Sequence, residues 1–424
     1  MQVPFGEWLP DQPDHNKQGA NVANNVYYAA NTYKRFPSLV NYSSNTVSTD
    51  SKGAGSFRDN SNTVYNFVAT RTNIYQLASG AFTSRKASLT GAADDFWTFT
   101  QFGEYVIASN GVDAPQYYLM GTSTNFANLS AIQSAGTVPT FRVSGVVRDF
   151  LVTGNITNAT NRIQWSGIND ITVWSGKQSD LQDLPGSGGQ VVAITSGEVG
   201  YVFRQNQIIR MDYVGGATVF RLSVISPNRG AVFGRTVCQD NRQIFFYADD
   251  GFYQINGDQI MPIGVEKVNR YFDLNLNKAY ADRICAAVDP FNQLAMWLFP
   301  STANTTNTTG ICDKIIIYNY ATKKWSLADA SASSIFSQFV GAFTVELMDI
   351  ISENLENISA ALDTDYWSGG QMFLGGIDSD YKAAIFSGNS NECEVETAEL
   401  EPFPGLRANI TGVRPIVDAT ATLT

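Results

Sequence analysis

Short apolar or alternating runs recur along the chain between clusters of Gly, Asn, Asp and Ser. Val64 to Thr70 (VYNFVAT) and Ile74 to Leu77 (IYQL) form an early pair, and Leu294 to Phe299 (LAMWLF) is a later, entirely apolar run. Runs of four to seven residues rich in Val, Ile, Tyr, Phe and Trp are typical of β-strands. Turn residues separate them at roughly 8–12 residues, the spacing of sandwiches, barrels and propellers. The pattern therefore predicts an all-β protein.

A longer period is superimposed on these runs. A strand, a turn and a second strand recur about every 40 residues, which is near the period of propeller blades. This period predicts a β-propeller of about six or seven blades, and two consecutive β-sandwiches are the alternative. The segments that carry the period are 64–77, 102–119, 148–166, 200–214, 243–258, 293–326 and 371–388.

Two segments have helical spacing instead. Glu346 to Leu362 places apolar residues at steps of three or four and predicts an amphipathic helix, an insertion near 345–363. Val265 to Phe272 (VEKVNRYF) predicts a shorter helix between blades. The sequence Asp249-Asp250-Gly251 predicts a hairpin with a type I′ turn.

The strand signal varies enough to suggest domain boundaries. Residues 1–60 have little strand pattern and many Asn, Pro and Ser, so we expect an extended N-terminal arm. Residues 61–395 form the predicted propeller body. Residues 396–424 are a strand-like tail, expected to close the propeller by pairing with an early strand. Deleting residues 1–40 is therefore expected to leave folding intact but to weaken assembly.

Composition and net charge disfavour several classes of function. The chain is 44% hydrophobic and only 16% charged, and 28 Lys and Arg against 39 Asp and Glu give a net charge of −11. A protein that binds DNA by neutralising phosphates needs a basic surface, so DNA binding is not expected. The single histidine, His15, and the absence of nucleotide-binding or nucleophile-elbow motifs predict a non-enzymatic protein. We therefore expect no catalytic residues, no cofactor and no metal. No apolar run is long enough for a membrane helix, so no membrane anchor is expected.

Several stretches carry a family resemblance in a fixed order. The segment Pro4 to Leu39 contains Trp-x-Pro-Asp at 8–11, an Asn-Val near a Tyr-containing turn, and Phe-Pro-Ser at 36–38. The further stretches are 202–226, 242–272, 286–301, 315–328 and 396–419. Together they resemble the tail hub or nozzle (packaged DNA stabilisation) proteins of short-tailed bacteriophages. The chain departs from that pattern by ending soon after Asp418, where similar proteins continue into further strands, so we expect a shorter closure or a truncated chain.

The resemblance implies a structural virion protein, made in the host cytoplasm and located in the tail. It implies a homo-hexameric ring below the portal and adaptor that extends the DNA channel, retains packaged DNA and anchors a needle, fibres or spikes. DNA would pass through without specific binding, since acidic subunits repel phosphates. The arm would dock on a neck protein, or else pack on its own propeller. The candidate docking residues are Phe5, Trp8, Leu9, Pro10 and Tyr33.

Two other functions remain open at this stage. The weaker one is a bacterial surface adhesin, which the lack of a signal-peptide pattern at the N-terminus disfavours. A carbohydrate-binding or glycan-cleaving propeller, such as a receptor-binding tail protein, would also be a large β-rich chain with many aromatic residues. A surface cluster of Trp and Tyr beside two convergent carboxylates would favour that alternative.

Overall fold

Strands dominate the computed structural model, which describes residues 5–15, 17, 19–29, 31–216, 218–304, 310–339, 372–399, 409 and 412. The helix predicted from Glu346 to Leu362 lies outside the described residues, as does nearly all of the chain after residue 399.

Four short strands come first: β1 (Ala20–Asn24), β2 (Val26–Ala29), β3 (Thr32–Arg35) and β4 (Ser38–Asn41). Only β2 and β3 pair with each other, as a hairpin. The strands of this segment were not visible in the hydrophobic pattern because each is short and partly polar. The first large sheet begins at Gly53, earlier than the predicted boundary at residue 61.

Five four-stranded antiparallel sheets follow, each built from consecutive strands. Unit 1 contains β5 (Gly53–Arg58), β6 (Val64–Ala69), β7 (Ile74–Ala78) and β8 (Ala81–Lys86). Unit 2 contains β9 (Thr98–Phe102), β10 (Tyr105–Ser109), β11 (Gln116–Leu119) and β12 (Ala127–Asn128). Unit 3 contains β13 (Phe141–Val147), β14 (Phe150–Ile156), β15 (Ala159–Trp165) and β16 (Asp180–Asp183). Unit 4 contains β17 (Val191–Ile194), β18 (Val199–Arg204), β19 (Ile208–Tyr213) and β20 (Phe220–Ser226). Unit 5 contains β21 (Cys238–Asp240), β22 (Gln243–Ala248), β23 (Gly251–Asn256) and β24 (Gln259–Pro262).

The remaining strands belong to one larger sheet. They are β25 (Cys285–Asp289), β26 (Leu294–Phe299), β27 (Cys312–Asn319), β28 (Lys324–Phe339), β29 (Met372–Asp378), β30 (Ala383–Gly388) and β31 (Glu394–Thr397). The long strand β28 divides the sheet, because residues 324–329 pair with β27 and residues 332–339 pair with β29. The first part completes unit 6 and the second part begins unit 7. β4, from the N-terminal segment, pairs with β30 as the outer strand of unit 7.

Helical turns are few among the described residues. They are α1 (Asn269–Asn275) and the 3-10 turns Leu129–Ile132, Gly234–Thr236 and Lys278–Arg283.

Buried apolar side chains close the units into a ring. Among the described residues they form seven clusters, one between each pair of neighbouring units. The cluster that joins the first and last units contains Val68 and Leu77 of unit 1 with Phe336 and Ile377 of unit 7. Radially stacked antiparallel sheets with a closed order are the architecture of a β-propeller. The alternative of two sandwiches is therefore wrong.

The predicted strand–turn–strand segments coincide with the second and third strands of the units. Residues 64–77, for example, cover β6 and β7. These middle strands lie between neighbouring strands and units and are rich in apolar residues; every residue of β14 and of β26 is buried. The fourth strands of most units are partly or fully exposed, and all four residues of β16 are exposed. In unit 6, by contrast, residues 325–328 of the fourth strand are buried. The hydrophobic pattern reveals β20 but few of the other outer strands, because most of them are rich in polar residues.

The first strand of each unit lies nearest the propeller axis, where neighbouring units come closest. A Cβ placed on Gly145 of β13 would lie 2.8 Å from the carbonyl oxygen of Ile194 in β17. On Gly53 of β5 it would lie 2.3 Å from the carbonyl oxygen of Trp97. Both separations are shorter than a side chain tolerates, so glycine is required there. This use of small residues near the axis weakens the strand signal of inner strands.

Two local predictions need correction. Helix α1 begins at Asn269 rather than at Val265, because Glu266 has a positive φ of 58° that no helical residue adopts. The hairpin at Asp249-Asp250-Gly251 is present and joins β22 to β23. Ala248 pairs with Gly251, so Asp249 and Asp250 are the central residues of the turn. The turn is not type I′, since that type needs positive φ at both central residues and neither aspartate has one.

Candidate functional site

The N-terminal segment, residues 5–41, lies against units 5, 6 and 7 of its own chain, and we call it the strap. Trp8 is 2% exposed and belongs to the apolar cluster between units 5 and 6. Its ring contacts the edge of Tyr271 at 4.9 Å between centroids, and its Nε1–H donates to the carbonyl oxygen of Asn21 at 3.0 Å. The strap is thus part of the propeller's core.

The other predicted docking residues lie nearer the surface. Leu9 and Pro10 are partly buried. Tyr33 is also partly buried; its hydroxyl donates to the carbonyl oxygen of Gly6 at 2.7 Å, and burial raises its pKa above the usual value. Phe5 is the most accessible of the five, with 46% of its surface exposed. Docking of the arm on another protein stays a prediction, and Phe5 is the residue free to make that contact.

Asp11, from the Trp-x-Pro-Asp sequence, caps helix α1. Its carboxylate accepts hydrogen bonds from the backbone N–H groups of Arg270 at 2.9 Å and Tyr271 at 2.7 Å. A carboxylate at a helix N-terminus satisfies donors that have no partner within the helix and interacts favourably with its dipole. Nearby, Lys267 Nζ lies 2.7 Å from the Glu7 carboxylate. The strap therefore supplies the cap that α1 lacks in its own sequence.

Asp329 fixes the middle of the strap to β28. Its carboxylate accepts hydrogen bonds from the side-chain amides of Asn24 at 2.7 Å and Asn25 at 2.9 Å, and it also pairs with Lys314. Burial alone would raise the pKa of Asp329, but these hydrogen bonds outweigh it and lower the pKa. Asn25 adopts a positive φ of 58°, a conformation that asparagine tolerates better than most residues. The backbone N–H of Asp329 donates to Asn25 Oδ1 at 2.8 Å.

The end of the strap completes unit 7. Phe36, of the Phe-Pro-Ser sequence, is 4% exposed and packs against Phe386 at 5.3 Å between ring centroids. Ser38 then begins β4. At the other end of the described chain, Glu396 and Thr397 of β31 pair with β1. These are the first residues of the predicted C-terminal segment, and they lie beside an early strand as expected.

A second group of side chains lies where the first strands of several units begin. It comprises Asp50 and Lys52 before unit 1, Phe96 before unit 2, Arg235 before unit 5, and Arg283 before unit 6. The Arg235 guanidinium lies over the Phe96 ring, 4.4 Å from its centroid. Units 2 and 5 are not neighbours, so this contact crosses the axis. We call the group the axial cluster.

Further along the first strands, past the axial cluster, side chains line an open recess of about 300 Å³. Its walls are mostly apolar or small side chains of units 1, 2, 5, 6 and 7, including Phe57, Phe99 and Phe336. Neither the recess nor the axial cluster was predicted from the sequence. The available signal was a cationic residue one to three positions before a run of small residues, as in Lys52 before Gly-Ala-Gly and Arg283 before Cys-Ala-Ala.

Three further features of the described residues concern metal binding, membrane crossing and sugar stacking. No group of three or more metal-binding side chains occurs within the described ranges. None of the helices in those ranges has the length and apolarity to cross a bilayer. All the described tryptophans are at most 5% exposed, so none of them offers a ring for stacking on a sugar: Trp8, Trp97, Trp165, Trp174, Trp297 and Trp325.

Comparison with known proteins gives fold-level similarity alone. No protein-family model matches the chain, and no curated protein matches it. A chain of a mitotic checkpoint complex is 10% identical, covering 86% of this chain and 99% of its own, with a TM-score of 0.46. U3-55K is 9% identical, covering 83% and 99%, with a TM-score of 0.47. The extracellular domain of a hybrid two-component system from B. thetaiotaomicron is 11% identical, covering 84% and 40%, with a TM-score of 0.46. The β-propeller architecture itself follows from the ring of sheets described above.

Proposed function

We propose that the protein is a non-enzymatic structural subunit of a phage tail hub or nozzle, assembled as a ring. One observation supports this more than any other: stretches of sequence that resemble the family at distant positions are in contact in the structure. Trp8 and Asp11 of the first stretch contact Tyr271 of the third. Asn25 of the first stretch contacts the chain at Asp329, directly after the stretch 315–328. The shared sequence features thus form one structural device, the strap that closes the propeller.

The subunit suits an assembly that must stay intact under load. The strap crosses three units and supplies the outer strand of unit 7, so the two ends of the propeller are joined by backbone hydrogen bonds and by buried apolar side chains. Opening the ring requires breaking these contacts together. A subunit below a portal that holds pressurised DNA benefits from such a closure.

In this proposal, DNA passes through the bore of the oligomer and not along the axis of one propeller. The contact between Arg235 and Phe96 crosses the axis, and the open recess beyond it has a volume of only about 300 Å³. The net charge of −11 on each chain repels phosphates and keeps DNA free to slide. Retention of DNA would come from the assembly's shape and from its plug or needle.

The oligomeric state tests the proposal. The full chain, alone and mixed with candidate neck proteins, is measured by light scattering and electron microscopy. A ring, or a stable complex with an adaptor protein, is the expected result. A chain that stays monomeric in all mixtures and binds or cleaves glycans would contradict the proposal and favour the carbohydrate alternative.

Arm docking is tested by one exposed side chain. Phe5→Ser should weaken binding to the neck protein without changing stability, because Phe5 is the accessible end of the strap. Val112→Ser is the control, since Val112 is 50% exposed on unit 2, away from the units that hold the strap. An equal loss of binding in both variants would indicate nonspecific hydrophobic binding and would contradict a docking role for Phe5.

A further inference from the structure

The axial cluster carries an excess of positive charge in an acidic protein. Three cationic side chains, Lys52, Arg235 and Arg283, face one carboxylate, Asp50. Asp50 Oδ2 lies 3.0 Å from Lys52 Nζ and 3.4 Å from Arg283 Nη1, so both cations share it. Arg235 makes no ion pair with any carboxylate in the described part of the chain; its guanidinium lies on the Phe96 ring.

The position of the cluster strengthens its pull on an anion. The Lys52 side chain is 4% exposed although it is charged, and the Arg283 side chain is 23% exposed. Charges held away from bulk water interact more strongly than the same charges on an open surface. Holding three cations near one another, one buried and two half-buried, is unfavourable unless anions compensate them. Among the described residues that line the site, the single carboxylate compensates only part of this charge.

We propose that the axial cluster is a binding site for a small oxyanion of the phosphate class. Arg235 presents a planar guanidinium suited to bidentate contact with phosphate oxygens, and Lys52 and Arg283 supply further charge. Ser51 and Ser333 also line the site, and their hydroxyls donate to the carbonyl oxygens of Gly53 at 3.4 Å and Ile377 at 3.2 Å, so the charged side chains are the groups that would hold the anion. The proposal concerns the single chain and does not depend on the assembly in a phage tail.

The same geometry favours a small anion over a nucleic acid. Residues that precede the first strands of units 1, 2, 5, 6 and 7 converge on the site, and the Arg235–Phe96 contact bridges the axis between them. A polymer would need an open groove that tracks its backbone. The recess itself holds only about 10 Å³, so a tetrahedral oxyanion enters only if the Arg235 guanidinium moves off the Phe96 ring and takes the anion as its partner.

Calorimetric titration of the full chain with inorganic phosphate, at constant ionic strength set by sodium chloride, tests the proposal. Saturable binding at one site per chain is expected, and Arg235→Gln should weaken it at least about tenfold, by loss of a charge-assisted bidentate contact. Arg242→Gln makes the same change in charge at an exposed residue beyond the opposite end of β21 and should leave the affinity unchanged.

Three results would overturn the proposal: no saturable binding by the unaltered chain, equal weakening in both variants, or tight binding of a single-stranded oligonucleotide without binding of phosphate. Circular dichroism of Arg235→Gln confirms that the variant is folded. If it is not, Arg235→Lys serves instead, since it keeps the charge, loses the planar fork and should show an intermediate affinity.

Discussion

Replacing Trp8 by alanine tests whether the strap is part of the propeller or a detachable arm. The Trp8 side chain is 2% exposed, contacts Tyr271 edge-on and donates a hydrogen bond to the chain at Asn21. Truncating a buried tryptophan to alanine lowers the free energy of unfolding by about 3–5 kcal/mol. Phe5 lies in the same segment but is 46% exposed, so Phe5→Ala should change the free energy of unfolding by less than about 0.5 kcal/mol.

Two measurements give the outcome. In urea denaturation, Trp8→Ala should lower the transition midpoint, by about 1–1.7 M if m is about 3 kcal/mol/M, and Phe5→Ala should leave it in place. In limited proteolysis of the native protein, cleavage within residues 5–41 should accelerate more than about 100-fold in Trp8→Ala, since cleavage follows the population of the open form. Unchanged midpoints and cleavage rates in Trp8→Ala would refute the strap as a structural element.

The buried contacts of the strap also change the outcome expected for an N-terminal deletion. Deletion of residues 1–40 was expected to leave folding intact. The deletion removes Trp8 and Phe36 from the core and nearly all of β4 from unit 7, so we now expect it to destabilise the fold severely.

Three further outcomes are expected. Gly53→Ala should lower stability by about 1–3 kcal/mol in thermal unfolding, because its Cβ would lie 2.3 Å from the carbonyl oxygen of Trp97; an unchanged melting temperature would contradict the close approach. Asp329 has a lowered pKa in the folded state, so its contribution to stability is present above about pH 4, its unfolded value, and is lost as the pH falls through the lower folded pKa; Asp329→Asn should flatten this part of the stability–pH curve. Arg204 is 1% exposed and donates to three backbone carbonyls, at residues 185, 186 and 189. Arg204→Met and Arg204→Lys should therefore both lower the free energy of unfolding by about 2–4 kcal/mol. If the lysine variant keeps the full stability, charge alone suffices at this position.

The residues of the strap could be recognised from the sequence, but their contacts could not. The Trp-x-Pro-Asp sequence was recognised as a feature and Trp8 as an apolar anchor, but its partner could not be identified. Tyr271 is more than 260 residues away along the chain, and Asp11 caps a helix that is equally distant. The local sequence indicates that the tryptophan side chain will be buried. It does not indicate whether the residues that cover the side chain belong to the same chain or to another protein.

The hydrophobic pattern by itself determined the all-β class, the repeat of about 40 residues and the middle strands of the propeller units, since strands covered on both faces must be apolar. Tertiary structure decided what depends on distant segments meeting: the outer strand β4 of unit 7, the strap's buried contacts, and the axial cluster in which Arg235 reaches Phe96 across the ring. The physical reason is that burial of a strand face is a local requirement with a local period. The partners of an edge strand, a cap or a charge are set only when the ring closes and brings its two ends together.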